Sequence, residues 1–90
     1  RVGEYYARPD VSFEIDLRGQ TREEAEYNTD IYLSNAAQAG LHEVRLIHGK
    51  GSGALRAALQ SMLKNDPRVL SFRTGGYGEG DNGVTVVTLK

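Results

Sequence analysis

The residues able to do chemistry gather in three short blocks. The first, Glu14-Ile15-Asp16-Leu17-Arg18, alternates two carboxylates and a guanidinium with apolar residues. Carboxylates two apart on an extended backbone share a face, and can act as general base, metal ligands or orienters of a catalytic group. The second is His48-Gly49-Lys50-Gly51-Ser52-Gly53, followed by Arg56. Glycines between a strand and a helix let the backbone close on a ligand, and the helix N-terminus adds free N–H groups and a positive dipole end. Phosphate is the natural ligand of such a loop. The third block runs from Arg73 to Gly83, where Tyr77 can stack on a base or cover apolar surface.

Each block also has a plainer reading. Glu14 with Arg18 can be an exposed ion pair of small energetic value, and Asp16 can cap the turn that follows. His48 is the near-neutral acid or base of the set, whereas His42 sits at a helix–strand junction in a structural place. Ser52 lacks the Ser-His-Asp spacing of a nucleophile and reads as a helix N-cap. The GxxxxGK[ST] pattern of a P-loop is absent, and the glycines follow the second strand rather than the first, against a dinucleotide fold.

The elements that must position these residues follow from periodicity. Ser12 to Arg18 alternates strictly, which predicts a strand burying Phe13, Ile15 and Leu17 and exposing Glu14, Asp16 and Arg18. Thr21 with Glu24 forms a capping box that starts a helix, and Ala25, Thr29, Tyr32, Leu33 and Ala36 make its buried stripe up to Gly40. Glu43 to His48 is a second strand. A second helix with Leu55, Ala58, Leu59 and Met62 inward stops at Asp66-Pro67, before strands at 69–74 and 84–89. The order β-α-β-α-β-β predicts a two-layer α/β fold, with a four-stranded mixed sheet and two helices on one face. The last two strands, joined by a loop alone, should pair antiparallel. Arg18, His48 and Arg73 then lie at or near the carboxyl ends of three strands, where functional groups of such sheets gather.

Ninety residues allow one domain, with 1–11 as a linker remnant bearing Tyr5 and Tyr6, and 12–90 as the folded unit. The opening Arg1 in place of methionine suggests a module of a longer protein. A hydrophobic content of 39% is too high for disorder, and no apolar run is long enough to span a membrane. Zero cysteines exclude a disulfide framework and a zinc finger, and fit a reducing compartment. The net charge of −1 hides a polarity. Seven acids oppose Arg18 and Arg22 between Glu14 and Glu43, while six basic residues oppose Asp66 between Val44 and Thr74. That second stretch can present a basic surface to phosphates.

Three segments, IDLRG (15–19), HGKGSGALR (48–56) and GVTVVTL (83–89), resemble in order and spacing the signature blocks of the Smr, or small MutS-related, domain. The arginine form of the first block resembles the version at the C-terminus of the second family of bacterial MutS-like ATPases; many stand-alone members carry histidine at the position of Arg18. The segment EGDNG before the last strand departs from an EGG-type form, and an altered loop is expected there. The resemblance implies a fold similar to the C-terminal domain of translation initiation factor three. It implies a DNA-nicking endonuclease domain, acting on branched DNA among other forms, fused to a larger, dimeric, ATP-binding protein that suppresses recombination in the bacterial cytoplasm at the nucleoid. Glu14, Asp16, Arg18 and His48 are then the catalytic candidates. Gly49, Lys50, Gly51, Ser52, Gly53, Arg56, Arg73 and Tyr77 are the phosphate- and nucleic-acid-binding candidates. Mg2+ or Mn2+ on Glu14 and Asp16 is an open cofactor. Family links to RNA cleavage and stalled ribosomes supply the alternative, a non-catalytic module that binds RNA or the ribosome.

Overall fold

The computed structural model describes residues 11–90; the linker expectation for the first ten residues, with Tyr5 and Tyr6, lies outside them. The elements are β1 (Glu14–Asp16), α1 (Arg22–Gln38), β2 (Glu43–Ile47), α2 (Ala54–Lys64), β3 (Val69–Thr74), a 3-10 turn (Asp81–Gly83) and β4 (Val84–Leu89). The sheet order is β1-β2-β4-β3. β1 pairs parallel with β2, and β4 pairs antiparallel with both β2 and β3, as the loop-only connection required. β1, β2 and β3 therefore run the same way, and their carboxyl ends share one edge of the sheet.

Local signals explain the helices. Thr21 accepts the Glu24 N–H at 3.1 Å while the Glu24 carboxylate accepts the Thr21 N–H at 2.9 Å, so the capping box is closed on both sides. The five expected stripe residues of α1 are all buried. α2 buries Leu59 and Leu63, with Leu55 packed partly against the core. Both helices share one apolar cluster with Leu17, Val44, Leu46, Val87 and Leu89, on one side of the sheet. Arg68, which the sequence grouped with the basic stretch, is a clamp. It grips Asp66 at 2.6 and 2.9 Å and reaches α1 at Asp30, fixing the turn between α2 and β3.

One packing expectation is corrected. Phe13 is 65% exposed, although the alternation assigns it the face of Ile15 and Leu17. Burial rises along this segment, through Ile15 at an intermediate level to Leu17 at 0%. Phe13 stands at a bend before β1, an edge strand of only three residues, so the alternation does not hold there, although Val11 upstream of it packs against the core. Glu14 and Asp16 lie on the opposite, helix-free face and are exposed, as the alternation required. β4 is buried along nearly its whole length because it is central and Gly80 packs on the Val84 side chain from the second face. A β-carbon at Gly80 would collide with that valine.

Candidate phosphate and carboxylate site

The two helices begin differently, and the difference marks where an anion fits. α1 has its capping box and two acids, Glu23 and Glu24, in the first turn. α2 has no acid in its first turn, and its N-cap is Gly53, which has no side chain to offer. The expected cap residue, Ser52, stands one position earlier; its hydroxyl accepts the Ala54 N–H at 3.2 Å. Gly53 takes φ 85°, a left-handed turn in which a β-carbon is strained, and this places the helix start directly after the loop. The dipole end of α2 is thus left for a ligand.

The loop itself is pinned to the start of β4. The N–H groups of His48 and Gly49 both donate to the Gly83 carbonyl, each at 3.0 Å. The approach is close at Gly83, where a β-carbon would stand 3.1 Å from the Lys50 stem. Above the loop opens a cleft of about 650 Å3 between Gln20 and Arg22 on one side and α2 on the other. His48, Gly49, Gly51, Ser52, Gly53 and Arg56 line it. Arg56 forms no salt bridge among the described residues, so its charge is available at the mouth.

Asp16 and Arg18 form one unit. Asp16 accepts the Arg18 backbone N–H at 3.0 Å and both arms of its guanidinium at 2.9 and 2.7 Å. These bonds hold the Asp16 carboxyl down at about 2, and the guanidinium is stabilised in return. Of the two plainer readings, the turn-capping role of Asp16 is present, while the partner of Arg18 is Asp16 rather than Glu14. The Arg18 stem lies 3.4 Å from where a Gly49 β-carbon would sit, so this arginine joins the acidic face to the glycine loop. Glu14 is exposed nearby, and its charge together with burial pushes the Tyr32 phenol up to about 12.

The structure does not bring His48 onto the face of Glu14 and Asp16. Strand parity puts Arg45 and Ile47 beside those acids and turns His48 with Leu46 towards the helices. Its ring is 6% exposed and both nitrogens are occupied. Arg73 is also committed, in a bidentate pair with Glu79 at 2.7 and 2.9 Å. That pair and the Gly76 N–H hold Glu79 down at about 2. Tyr77, between them, is wholly exposed and covers nothing. Lys50 meets Asp81 at 3.5 Å, linking the two glycine loops.

With this geometry, the chain matches the family description "Smr domain" over residues 15–90. The chain belongs to the Smr domain family. It is 58% identical over 80 residues to the endonuclease MutS2 of Clostridium novyi and 59% to that of Clostridium tetani, in each case covering 89% of this chain. The chain spans only about a tenth of the length of these relatives. In three dimensions this Smr domain resembles that of Thermus thermophilus MutS2, with a TM-score of 0.84 at 51% identity, covering 86% of this chain and 96% of that one. The stand-alone small MutS-related protein YdaL of Escherichia coli aligns with a TM-score of 0.81 at 25% identity, covering 86% of this chain and 63% of that one.

Several residues of the site escaped sequence reasoning. Glu79 and Asp81 neutralise Arg73 and Lys50, Thr85 holds the His48 ring with Gln60 bonded behind it, and Gln20 and Arg22 wall the cleft. Asp81 and Thr85 act across at least thirty residues of chain, so no local spacing announces them; acids inside a glycine loop opposite a basic stretch were the available hint for the first two. Among the described residues of this Smr domain, no three His, Asp or Glu side chains gather to hold a metal. Mg2+ is commonly held by one or two carboxylates plus substrate phosphates, so Glu14 and Asp16 suit it only with substrate present and with Arg18 released from Asp16.

Proposed function

We propose that this Smr domain is a DNA-nicking endonuclease module of a larger MutS-like, ATP-binding bacterial protein that suppresses recombination. One observation carries the reading: a helix N-terminus with no acid in its first turn and glycine at its N-cap follows the loop that bears Lys50 and precedes Arg56, and Arg18 lies between that loop and an exposed carboxylate pair. Phosphodiester hydrolysis needs anion binding, charge neutralisation and an activated water. The GKGSG loop with Lys50 and Arg56 binds the phosphate. Arg18 neutralises its oxygens, swinging from Asp16 to the substrate, and the freed Asp16, with Glu14, orients the attacking water or ligates a divalent ion. The relatives from Clostridium novyi and Clostridium tetani are endonucleases by name, which supports the same chemistry here.

The test is nicking of supercoiled plasmid by the purified 90-residue chain. Asp16→Asn and Arg18→Ala are expected to lower nicking severely, and Asp16→Asn should spare binding, since it removes a negative charge beside the phosphate. Loss of nicking in a chelator, restored by Mg2+ or Mn2+, assigns the carboxylates as ligands. The second reading is a non-catalytic nucleic-acid module for RNA or the ribosome. It is favoured by the full engagement of Asp16 with Arg18 and of both His48 nitrogens in this state. Binding without cleavage by the purified chain, whatever the metal, would establish it.

A further inference from the structure

His48 is joined to the rest of the site by a chain of hydrogen bonds whose directions are fixed by chemistry. Its Nδ1 lies 3.0 Å from the Gly49 carbonyl oxygen, which only accepts, so Nδ1 carries the hydrogen. Its Nε2 lies 2.8 Å from the Thr85 hydroxyl. Gln60, on α2, donates its amide N–H to that hydroxyl at 3.0 Å and to the Thr74 hydroxyl at 3.3 Å. In a neutral ring with the hydrogen on Nδ1, Nε2 is the acceptor and the Thr85 hydroxyl donates to it. We propose that His48 is a positioning residue, a neutral Nδ1–H ring anchored at Nε2 by Thr85 with Gln60 behind it, which sets the GKGSG loop for phosphate through the Gly49 carbonyl. The proposal rests on the phosphate-binding reading above, and it gives the histidine no proton-transfer step.

The surroundings support this role. Gly49 is held from both ends, its carbonyl by the His48 ring and its N–H by the Gly83 carbonyl, with the Arg18 stem across it. Its φ of 88° is a strained setting for other residues, so a fixed carbonyl direction fixes where Lys50 departs from the chain. Burial, and the charge of Arg56 close by, disfavour the imidazolium. Protonating Nε2 would also reverse the Thr85 hydroxyl, which would then accept from both Nε2–H and the Gln60 amide and have to send its own proton elsewhere. The Nε2 lone pair points at Thr85, away from the face that carries Glu14 and Asp16.

Ring nitrogen NMR on the 15N-labelled 90-residue chain, free of nucleic acid, tests the tautomer directly. At neutral pH the parent chain is expected to show a protonated Nδ1 and an unprotonated Nε2. Thr85→Val should keep Nδ1–H, which the Gly49 carbonyl selects, while the Nε2 resonance shifts through loss of its hydrogen bond, and Thr85→Ser should restore the parent Nε2 resonance. In anisotropy titrations with a fluorescent duplex oligonucleotide, Thr85→Val should weaken binding about tenfold, the worth of one buried hydrogen bond, and Thr85→Ser should recover it. His48→Asn keeps an N–H in the place of Nδ1–H, and should bind about tenfold more tightly than His48→Ala, with its loss appearing in KM rather than kcat. A parent ring protonated at Nε2 overturns the proposal. So does a His48→Asn chain that binds like the parent yet no longer nicks, which would make the imidazole an acid or base. A parent chain that binds but never nicks defeats the nuclease reading alone, and leaves the tautomer and binding results to decide this one.

Discussion

Removing Lys50 and Arg56 together gives a numerical test of where phosphate sits. Lys50 meets Asp81 at 3.5 Å with both side chains more than half exposed, and such a pair is worth at most about 1 kcal/mol. Its charge is therefore released to a phosphate at little cost. Arg56 has no competing salt bridge among the described residues, and alanine in its place is a better helix former. The double variant Lys50→Ala, Arg56→Ala should thus fold while losing two phosphate contacts. Each contact contributes about 0.9 to the slope of log affinity against log salt on duplex DNA and about 0.7 on a single strand. The slope should shrink by about 1.8 on duplex or about 1.4 on single strands. At about 0.1 M salt, counterion release alone makes this a loss of about eightfold per contact, or about sixtyfold for the pair. Lys64→Ala is the control, at the far end of α2 about 15 Å along its axis. Fluorescence anisotropy over a salt series reads both quantities. Unchanged affinity and slope in a double variant of native circular dichroism would remove the glycine loop from the binding surface.

Four further outcomes follow from the same geometry. Asp81→Asn frees Lys50 without straining the backbone, since asparagine tolerates the left-handed φ of 52° at this position, and should raise DNA affinity at low salt in the same titration. Leu17→Ala should cost about 2–5 kcal/mol in urea titrations and Phe13→Ala under about 0.5, the reverse order indicating a different register of β1. Thr29 buries a hydroxyl that has no partner, so Thr29→Val should raise the unfolding free energy by about 1–2 kcal/mol; destabilisation would show that the hydroxyl is satisfied. Acid should remove stability in two stages, read as urea midpoints against pH. The first begins as pH falls through 6.5, where the unfolded imidazole takes a proton that buried His48 resists, and His48→Asn should erase it. The second comes as pH falls below the ordinary carboxylate range towards about 2, as Asp16 and Glu79 lose their arginines, and Glu79→Gln should reduce it.

Local signals in the sequence carried most of the fold. A capping box, a stripe at helical spacing and strict alternation each act within a few residues, and all three are present at the named positions. The failure at Phe13 lies at the strand's start: alternation in the sequence begins before the three-residue strand does, and Phe13 sits on the bend that precedes it. At the site the limit was tertiary. Spacing placed Glu14, Asp16 and Arg18 correctly on exposed positions, and it placed glycines where a helix starts. Pairing across the sheet decided the rest. His48 looked like a neighbour of the acids because both end a strand, but parity within β2 sends it to the other face, into contact with a residue of β4.

The insertion of β4 between β2 and β3 is what makes one site from two glycine loops. β4 starts at the sheet edge where β1, β2 and β3 end, so the segment that feeds it must pass beside the GKGSG loop. Gly83 marks the crossing, with its carbonyl on the His48 and Gly49 N–H groups and its bare α-carbon against Lys50. This path delivers Asp81 to Lys50 and Glu79 to Arg73, so in the free domain these two cations rest on carboxylates. Asp16 does the same for Arg18. Three exposed ion pairs of this kind add little stability, yet each keeps a cation oriented at the sheet edge and yields it to a stronger anion. On the proposed nuclease reading, a phosphate arriving here meets arginines and a lysine already directed towards the edge, and the carboxylate it displaces from Arg18 is one of the two proposed to act on it.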